Sequence, residues 1–385
     1  MMRFSAVILA FVCFSSVVCG EKLSSDSVSS PGRMFIAHRG VNLRSTIAGE
    51  NSLEAIGMST RGGFGAIETD VRLSADDSLV VMHDVTLNRT CLNADGSPIT
   101  VETPVASKTW KELRENYVLK ADDPSMRSRI PSLREYLQEC KRQGIYTFIE
   151  PKLKDNTGRF YRRIIDLAEE ILGHGNYVVT SNNRANVIIR DTLGVADVRL
   201  MGILYQTTFD RINRLGNCIM AISATRIDEP EYSGQVALAK SVGLATESHA
   251  DKFVHFNRIN SNPIDFVSTD FLAADLGDCG EMVAELGSLS DFASAKVSHG
   301  AIVLPEGKTI APKRKLPEVR YGGAYLGMDF DGTVEITLGN QTFTATGADN
   351  LQHQVILYNQ TPEFKVKALS PDVRIRRITL KIMEY

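Results

Sequence analysis

Seven side chains in four short clusters could do chemistry together. They are His38 and Arg39 in AHRG, Glu68 and Asp70 in ETD, His83 in MHD, and Glu150 and Lys152 in EPK. Residues two apart on a strand point to the same side, so Glu68 and Asp70 share one face, as do Glu150 and Lys152. A lone Glu-x-Asp pair on a strand is most often a solvated face. Here the neighbours Ile67, Val71, Phe148 and Ile149 read as buried wall, and three carboxylates beside such a wall repel one another and resist burial without a cation. Glu68, Asp70 and Glu150 make an all-oxygen ligand set, which favours Mg²⁺ or Ca²⁺ over zinc. Two imidazoles beside a hard cation suit phosphodiester cleavage, one taking a proton from the attacking hydroxyl and the other giving one to the departing oxygen. Arg39 could hold a phosphate through paired N–H bonds and Lys152 as a point charge; the plainer alternative for each is an ion pair with these same acids. His174, His249, His255, His299 and His353 keep the ordinary structural reading of an isolated histidine.

Elements that could position these residues follow from the rhythm of the chain. Short β-rich runs at 34–38, 66–71, 146–152, 177–181, 199–204, 218–223, 244–248 and 265–270 alternate with helix-like segments at 52–62, 132–143, 159–173, 184–193, 207–215 and 231–241. Eight such runs predict an α/β protein with a closed (β/α)8 TIM barrel. Residues 72–130 break the rhythm. They open with a second β-run too close to the first for a parallel crossover, so the chain turns back as a hairpin, and the rest forms a small cap insertion at the active-site face. A turn centred between Asp76 and Asp77 pairs position 83 with position 70, setting His83 across from Asp70. After about Gly280 the period changes to two. The domain map is then a barrel over 33–284, a linker region over 285–320 and a β-sandwich-like domain over 321–385.

A length of 385 residues favours more than one folded unit, and a formal charge of -3 gives no general pull toward nucleic acid. The first 20 residues carry one basic residue, an apolar stretch and a small-residue exit, the anatomy of a signal peptide. The stretch is too short for a convincing transmembrane span. Cleavage after Gly20 would leave 21–32 as a polar disordered spacer and a secreted or periplasmic protein; lipid anchoring through Cys19 is the alternative. Cys91, Cys140, Cys218 and Cys279 are even in number, which is compatible with two disulfides of open pairing or with buried free thiols. Asn340 and Asn359 stand in N-x-Thr sequons.

Taken together, AHRG, GEN at 49–51, IETDVRLSADDSLVVMHDVTLNRT, IPSLREYL at 130–137 and IEPK at 149–152 resemble the signature series of the glycerophosphodiester phosphodiesterases. The match holds in order over about 34–152 and extends more loosely to FVSTDF at 266–271. The resemblance implies metal-dependent hydrolysis of a small glycerophosphodiester to glycerol phosphate and an alcohol. It implies His38 and His83 as the catalytic acid–base pair, Glu68, Asp70 and Glu150 as metal ligands, and Arg39 and Lys152 as phosphate contacts. His38 is assigned as base and His83 as acid, since His83 rides on the inserted hairpin. Two departures stand out: Ser52 replaces the family's usual Thr, and residues 244–248 replace a Trp-Thr-Val-like run, the single Trp being Trp110. The other readings weighed are a related barrel phospholipase acting on lysolipid or sphingolipid head groups, and a non-catalytic secreted binding protein. The C-terminal domain lies outside the resemblance, with a glycan, a partner or a cell surface as candidate ligands.

Overall fold

The computed structural model describes residues 33–41, 48–121, 124–250, 255, 258–259, 262–270, 281–293 and 296–384. The expected signal peptide and spacer, and Cys279, lie outside these residues. Eight parallel strands close into a barrel: β1 (Met34–Ala37), β2 (Ala66–Leu73), and, after three short strands of the insertion, β6 (Tyr146–Pro151), β7 (Tyr177–Thr180), β8 (Arg199–Ile203), β9 (Cys218–Ile222), β10 (Ala245–Ala250) and β11 (Phe266–Thr269). Closure is made by β1, which pairs with β11 on one side and β2 on the other. Helices α1 (Leu53–Arg61), α3 (Leu133–Gln143), α4 (Arg159–Ile171), α5 (Asn183–Val187), α6 (Phe209–Arg214) and α7 (Pro230–Ser241) alternate with the strands. Each of the eight runs read from the sequence is a barrel strand; most are rich in Val, Ile, Leu, Met and Phe, which suits strands buried on both faces, while β2 and β10 also carry buried polar side chains.

The insertion carries β3 (Leu79–Val81), β4 (Cys91–Asn93), α2 (Trp110–Asn116) and β5 (Tyr117–Leu119). It has its own apolar cluster, in which Met82, Leu87, Cys91, Leu113 and Leu119 are buried. The β2–β3 hairpin differs from expectation by one residue. Val71 pairs with Val81 and Leu73 with Leu79, so Met82, not His83, follows opposite Asp70, and its N–H donates to the Asp70 carbonyl. The cause is the loop: Ala75, Asp76 and Asp77 form a three-residue turn whose last member has φ +60°, a geometry that shifts the hairpin centre onto Asp76. The turn is pinned by Ser74, whose hydroxyl donates to Asp76 and accepts from the Ser78 N–H.

Beyond the barrel, the stretch expected as a linker carries strands. Residues 281–384 form an antiparallel unit of β12 (Glu281–Leu286), β13 (Phe292–Ala293), β14 (Lys296–Ser298), β15 (Ala301–Leu304), β16 (Thr309–Pro312), β17 (Val319–Leu338), β18 (Gln341–Gln360), β19 (Phe364–Ala368) and β20 (Val373–Glu384). Strand β17 pairs first with β20 and then with β19, changing partner where its register shifts between Met328 and Thr333. The strands at 281–312 are short, two to six residues, too short for a period-two signal to stand out. The core of this unit is distinct from that of the barrel.

Candidate active site

Strand β1 ends in a sharp turn at which Arg39 and Gly40 both have positive φ, +56° and +74°. Gly40 is required there, since a Cβ would lie 2.7 Å from that of Ala55 in α1. The turn brings the GEN segment alongside: the Asn51 N–H donates to the Arg39 carbonyl. Ser52 caps α1 by accepting from the Ala55 N–H, so the departure from Thr keeps the cap. Asn51 in turn donates to Asp70 Oδ2 at 2.8 Å and accepts from the Thr69 hydroxyl. Its side chain thereby ties the first strand's loop to the second strand's acids.

The three expected metal ligands come together. Asp70 and Glu150 are register partners on adjacent strands, and Glu68 lies two residues before Asp70; their oxygens lie within 4.8 Å of one another. Both expected phosphate contacts sit among them. Lys152 Nζ is 3.0 Å from Asp70 Oδ1 and 2.7 Å from Glu150 Oε1. Arg39 Nε is 3.4 Å from Asp70 Oδ2, and the Arg39 backbone N–H donates to Glu68 Oε2. The carboxyls divide unequally. Burial and the nearby Asp70 charge push Glu68 well above the carboxylate range. Asp70 is held below it, because Lys152 and Arg39 outweigh its burial. Glu68 Oε1 is buried and has no hydrogen-bond partner among the described residues, which is what an oxygen meant for a cation would show. Hard oxygen donors with one such orphan fit a divalent ion such as Mg²⁺ or Ca²⁺.

Each expected catalytic imidazole is backed by a carboxylate. His38 Nδ1 lies 2.6 Å from Asp270 Oδ1, leaving Nε2 toward Glu68 at 3.9 Å. His83 Nδ1 lies 2.7 Å from Asp84 Oδ1. Arg89 grips Asp84 and pairs with both oxygens of Glu50, so His83 is anchored through Asp84 and Arg89 back to the GEN segment. The two rings titrate differently. Burial opposes protonation of His38, but the bond to Asp270 and the charge of Glu68 prevail and raise it to about 9. Burial dominates at His83 and lowers it. These directions run against the expected order of a His38 base and a His83 acid, since a base works neutral and an acid protonated. A cation bound at Glu68 would cancel part of the charge that raises His38.

The sequence reading missed Asn51, Glu50, Arg89, Asp270 and the pair Glu247 and His249 as parts of this site. Glu50, Asn51 and Arg89 lay within quoted motifs and Asp270, just after β11, within the looser FVSTDF segment, which was the available signal. The four cysteines cannot make two disulfides, because Cys91, Cys140 and Cys218 are free and buried. Burial pushes each thiol up to about 12, which suits inert core residues.

With the geometry in place, comparison decides the family. The sequence pattern of the glycerophosphoryl diester phosphodiesterase family matches residues 38–253, more than half of the chain. The chain belongs to this family. Cattle glycerophosphodiester phosphodiesterase 1 (Bos taurus) is 34% identical over 122 residues, 30% of this chain and 33% of that protein, so the chain spans about a third of that relative's length. Two solved structures share the phosphodiesterase barrel. A glycerophosphodiester phosphodiesterase from Agrobacterium tumefaciens superposes with TM-score 0.51 at 20% identity, covering 63% of this chain and 97% of that one. An Oleispira antarctica phosphodiesterase in complex with the product sn-glycerol-3-phosphate gives 0.50 at 21%, covering 64% and 95%. Each covers a share of this chain close to that of residues 34–269, which hold the barrel and cap. No helix among the described residues is long and apolar enough to cross a membrane.

Proposed function

We propose that this family member is a metal-dependent phosphodiesterase that hydrolyses a small glycerophosphodiester to glycerol phosphate and an alcohol, acting as a secreted or periplasmic protein. The observation that carries the reading is the meeting, at one barrel mouth, of two carboxylate-backed imidazoles with the carboxyls of Glu68, Asp70 and Glu150, of which Glu68 keeps one buried oxygen without a hydrogen-bond partner among the described residues. The product in the Oleispira structure, sn-glycerol-3-phosphate, supports the same product class for this reading.

Glu68, Asp70 and Glu150 would hold the divalent ion, which when bound supplies positive charge to a phosphate oxygen. Arg39 and Lys152 orient the phosphate group and add fixed charge. Asp270 and Asp84 fix the tautomers of His38 and His83 with Nδ1 protonated, so each presents Nε2 to the reacting group. One imidazole removes a proton from the attacking hydroxyl while the other protonates the leaving alkoxide. The test is a hydrolysis screen of glycerophosphodiesters with varied head groups, with chelator and with Mg²⁺ or Ca²⁺ restored. Turnover abolished by chelator and restored by either ion is the expected result; full turnover in chelator would remove the metal from the reading.

A further inference from the structure

Outside the barrel, the groove between α5 and α6 holds a cavity of about 620 Å³ that shares no lining residue with the catalytic mouth. Arg184, Arg190, Arg211 and Arg214 line it against one acid, Asp191, a net +3 in a chain whose formal charge is -3. The four are scattered in sequence and meet only because α5 and α6 follow adjacent barrel strands. Positions 184, 187 and 190 share one helical face, as do 207, 211 and 214, and each face lines the groove. Arg190 is committed to the fold. Its guanidinium donates to the carbonyls of Val195, Val198 and Leu215, which ties the π-helical turn at Ile188–Thr192 to the end of α6. Arg184 and Arg211 are different: both are exposed, and neither side chain has a hydrogen-bond or ion-pair partner among the described residues. Arg214 uses only Nε, on the Asp210 carbonyl. On other surface elements of the barrel arginines do find acids, Arg134 with Glu170, Arg142 with Glu139 and Arg226 with Glu229.

We propose that this groove is an accessory binding site, separate from the catalytic mouth, for a small anion bearing two or more phosphate groups. A concave surface lined by one sign of charge focuses its potential into the groove, and Val187 and Leu215 add apolar wall beside the guanidiniums. Each guanidinium fork matches two phosphate oxygens through parallel N–H bonds. Arg184, Arg211 and Arg214 present three such forks from two helices, more donors than one phosphate or one carboxylate can engage. Arg190 adds fixed charge and holds the helices at one spacing, so the groove is formed before a ligand arrives. The site stands whether or not the proposed activity does, since no residue is common to both.

The experiment is a calorimetric titration of the full-length protein with pyrophosphate in chelator, where the unneutralised acids of the mouth disfavour an anion. Saturable binding is expected, tighter than for orthophosphate. The pair Arg184→Gln with Arg211→Gln should weaken it about tenfold or more, whereas Lys152→Gln, which alters the mouth, should leave it unchanged. Lysine at both arginine positions keeps the charge but loses the forks, and should recover part of the affinity. Cosedimentation with phosphatidylcholine vesicles, with and without phosphatidylinositol bisphosphate, identifies the source: pelleting lost in the glutamine pair assigns a lipid head group, and titration without pelleting assigns a soluble ligand. No saturable binding by the parent protein, or binding lost through Lys152→Gln instead, would overturn the proposal. So would a glutamine pair whose melting midpoint and diester turnover fall together with its binding, since those arginines would then serve the fold.

Discussion

The two walls of the barrel mouth use polar residues differently. On the β1–β2–β6 wall, acids and bases come in matched sets: Asp70 with Lys152 and Arg39, Glu50 with Arg89, Asp84 with His83. On the β10–β11 wall, Glu247 is buried with no ion-pair partner within reach among the described residues, bonded to a serine hydroxyl. In the proposed function the first wall supplies the charge that handles a phosphate group, whereas the second holds its carboxyl by hydrogen bonding through Ser268. A residue that titrates or pairs strongly on the first wall is therefore expected to govern rate.

The largest expected effect on the first wall comes from its ligands. Asp70→Asn and Glu68→Gln should each lower turnover by about 10³-fold or more, as loss of a direct ligand exceeds the roughly 10–100-fold typical of residues behind the ligands. Their metal-free stabilities should move in opposite directions. Folding holds the Glu68 proton to a higher pH than the unfolded chain does, so ionisation of Glu68 works against the fold above the ordinary carboxyl range, and Gln removes that penalty. Asp70 is stabilised as an anion by Lys152 and Arg39, and Asn leaves those cations uncompensated. Thermal melts in chelator should show a higher midpoint for Glu68→Gln and a lower one for Asp70→Asn. Midpoints shifted the same way would mean that the two acids share one environment.

Next come the imidazoles. Alanine at His38 or His83 should cost about 10²–10⁴-fold on an alkyl diester. A nitrophenyl leaving group needs no acid, so the variant it rescues is the one that lacks the acid. Rescue of His83→Ala keeps the order read from the sequence; rescue of His38→Ala exchanges the roles, in keeping with the raised titration of His38. Asp270→Asn should have a smaller effect on rate, about tenfold, with a signature a purely structural change would lack. Asp270 helps to raise His38, so the limb of the pH–rate profile governed by His38 should move to lower pH. An unmoved limb would uncouple the pair.

The smallest effect is on stability in acid. The Arg89 bond lowers Asp84 to about 2 from 3.8. A depressed carboxyl contributes stability above its unfolded value and loses it as pH falls through the folded one. Urea midpoints of Asp84→Asn should therefore fall below those of the parent near neutrality, with the gap closing as pH falls from about 4 to 2. A gap that persists at low pH would show that Asp84 acts through packing.

Strand rhythm alone determined the barrel, because strands buried on both faces are mostly apolar, and each of the eight runs became a strand. The first wall was equally legible: its residues lie in short motifs on β1, β2 and β6, and two-residue spacing fixes which side chains share a face. Position 83 was harder, since a single αL residue, Asp77, moved the hairpin register by one. Tertiary structure decided what no local spacing could. Barrel closure sets β11 beside β1 and so brings Asp270 to His38 across 232 residues, and it turns the isolated His249 and Glu247 into one hydrogen-bonded wall. The short strands at 281–312 likewise became visible only through their partners, because a strand of two to six residues is defined by the neighbour it pairs with rather than by its own sequence.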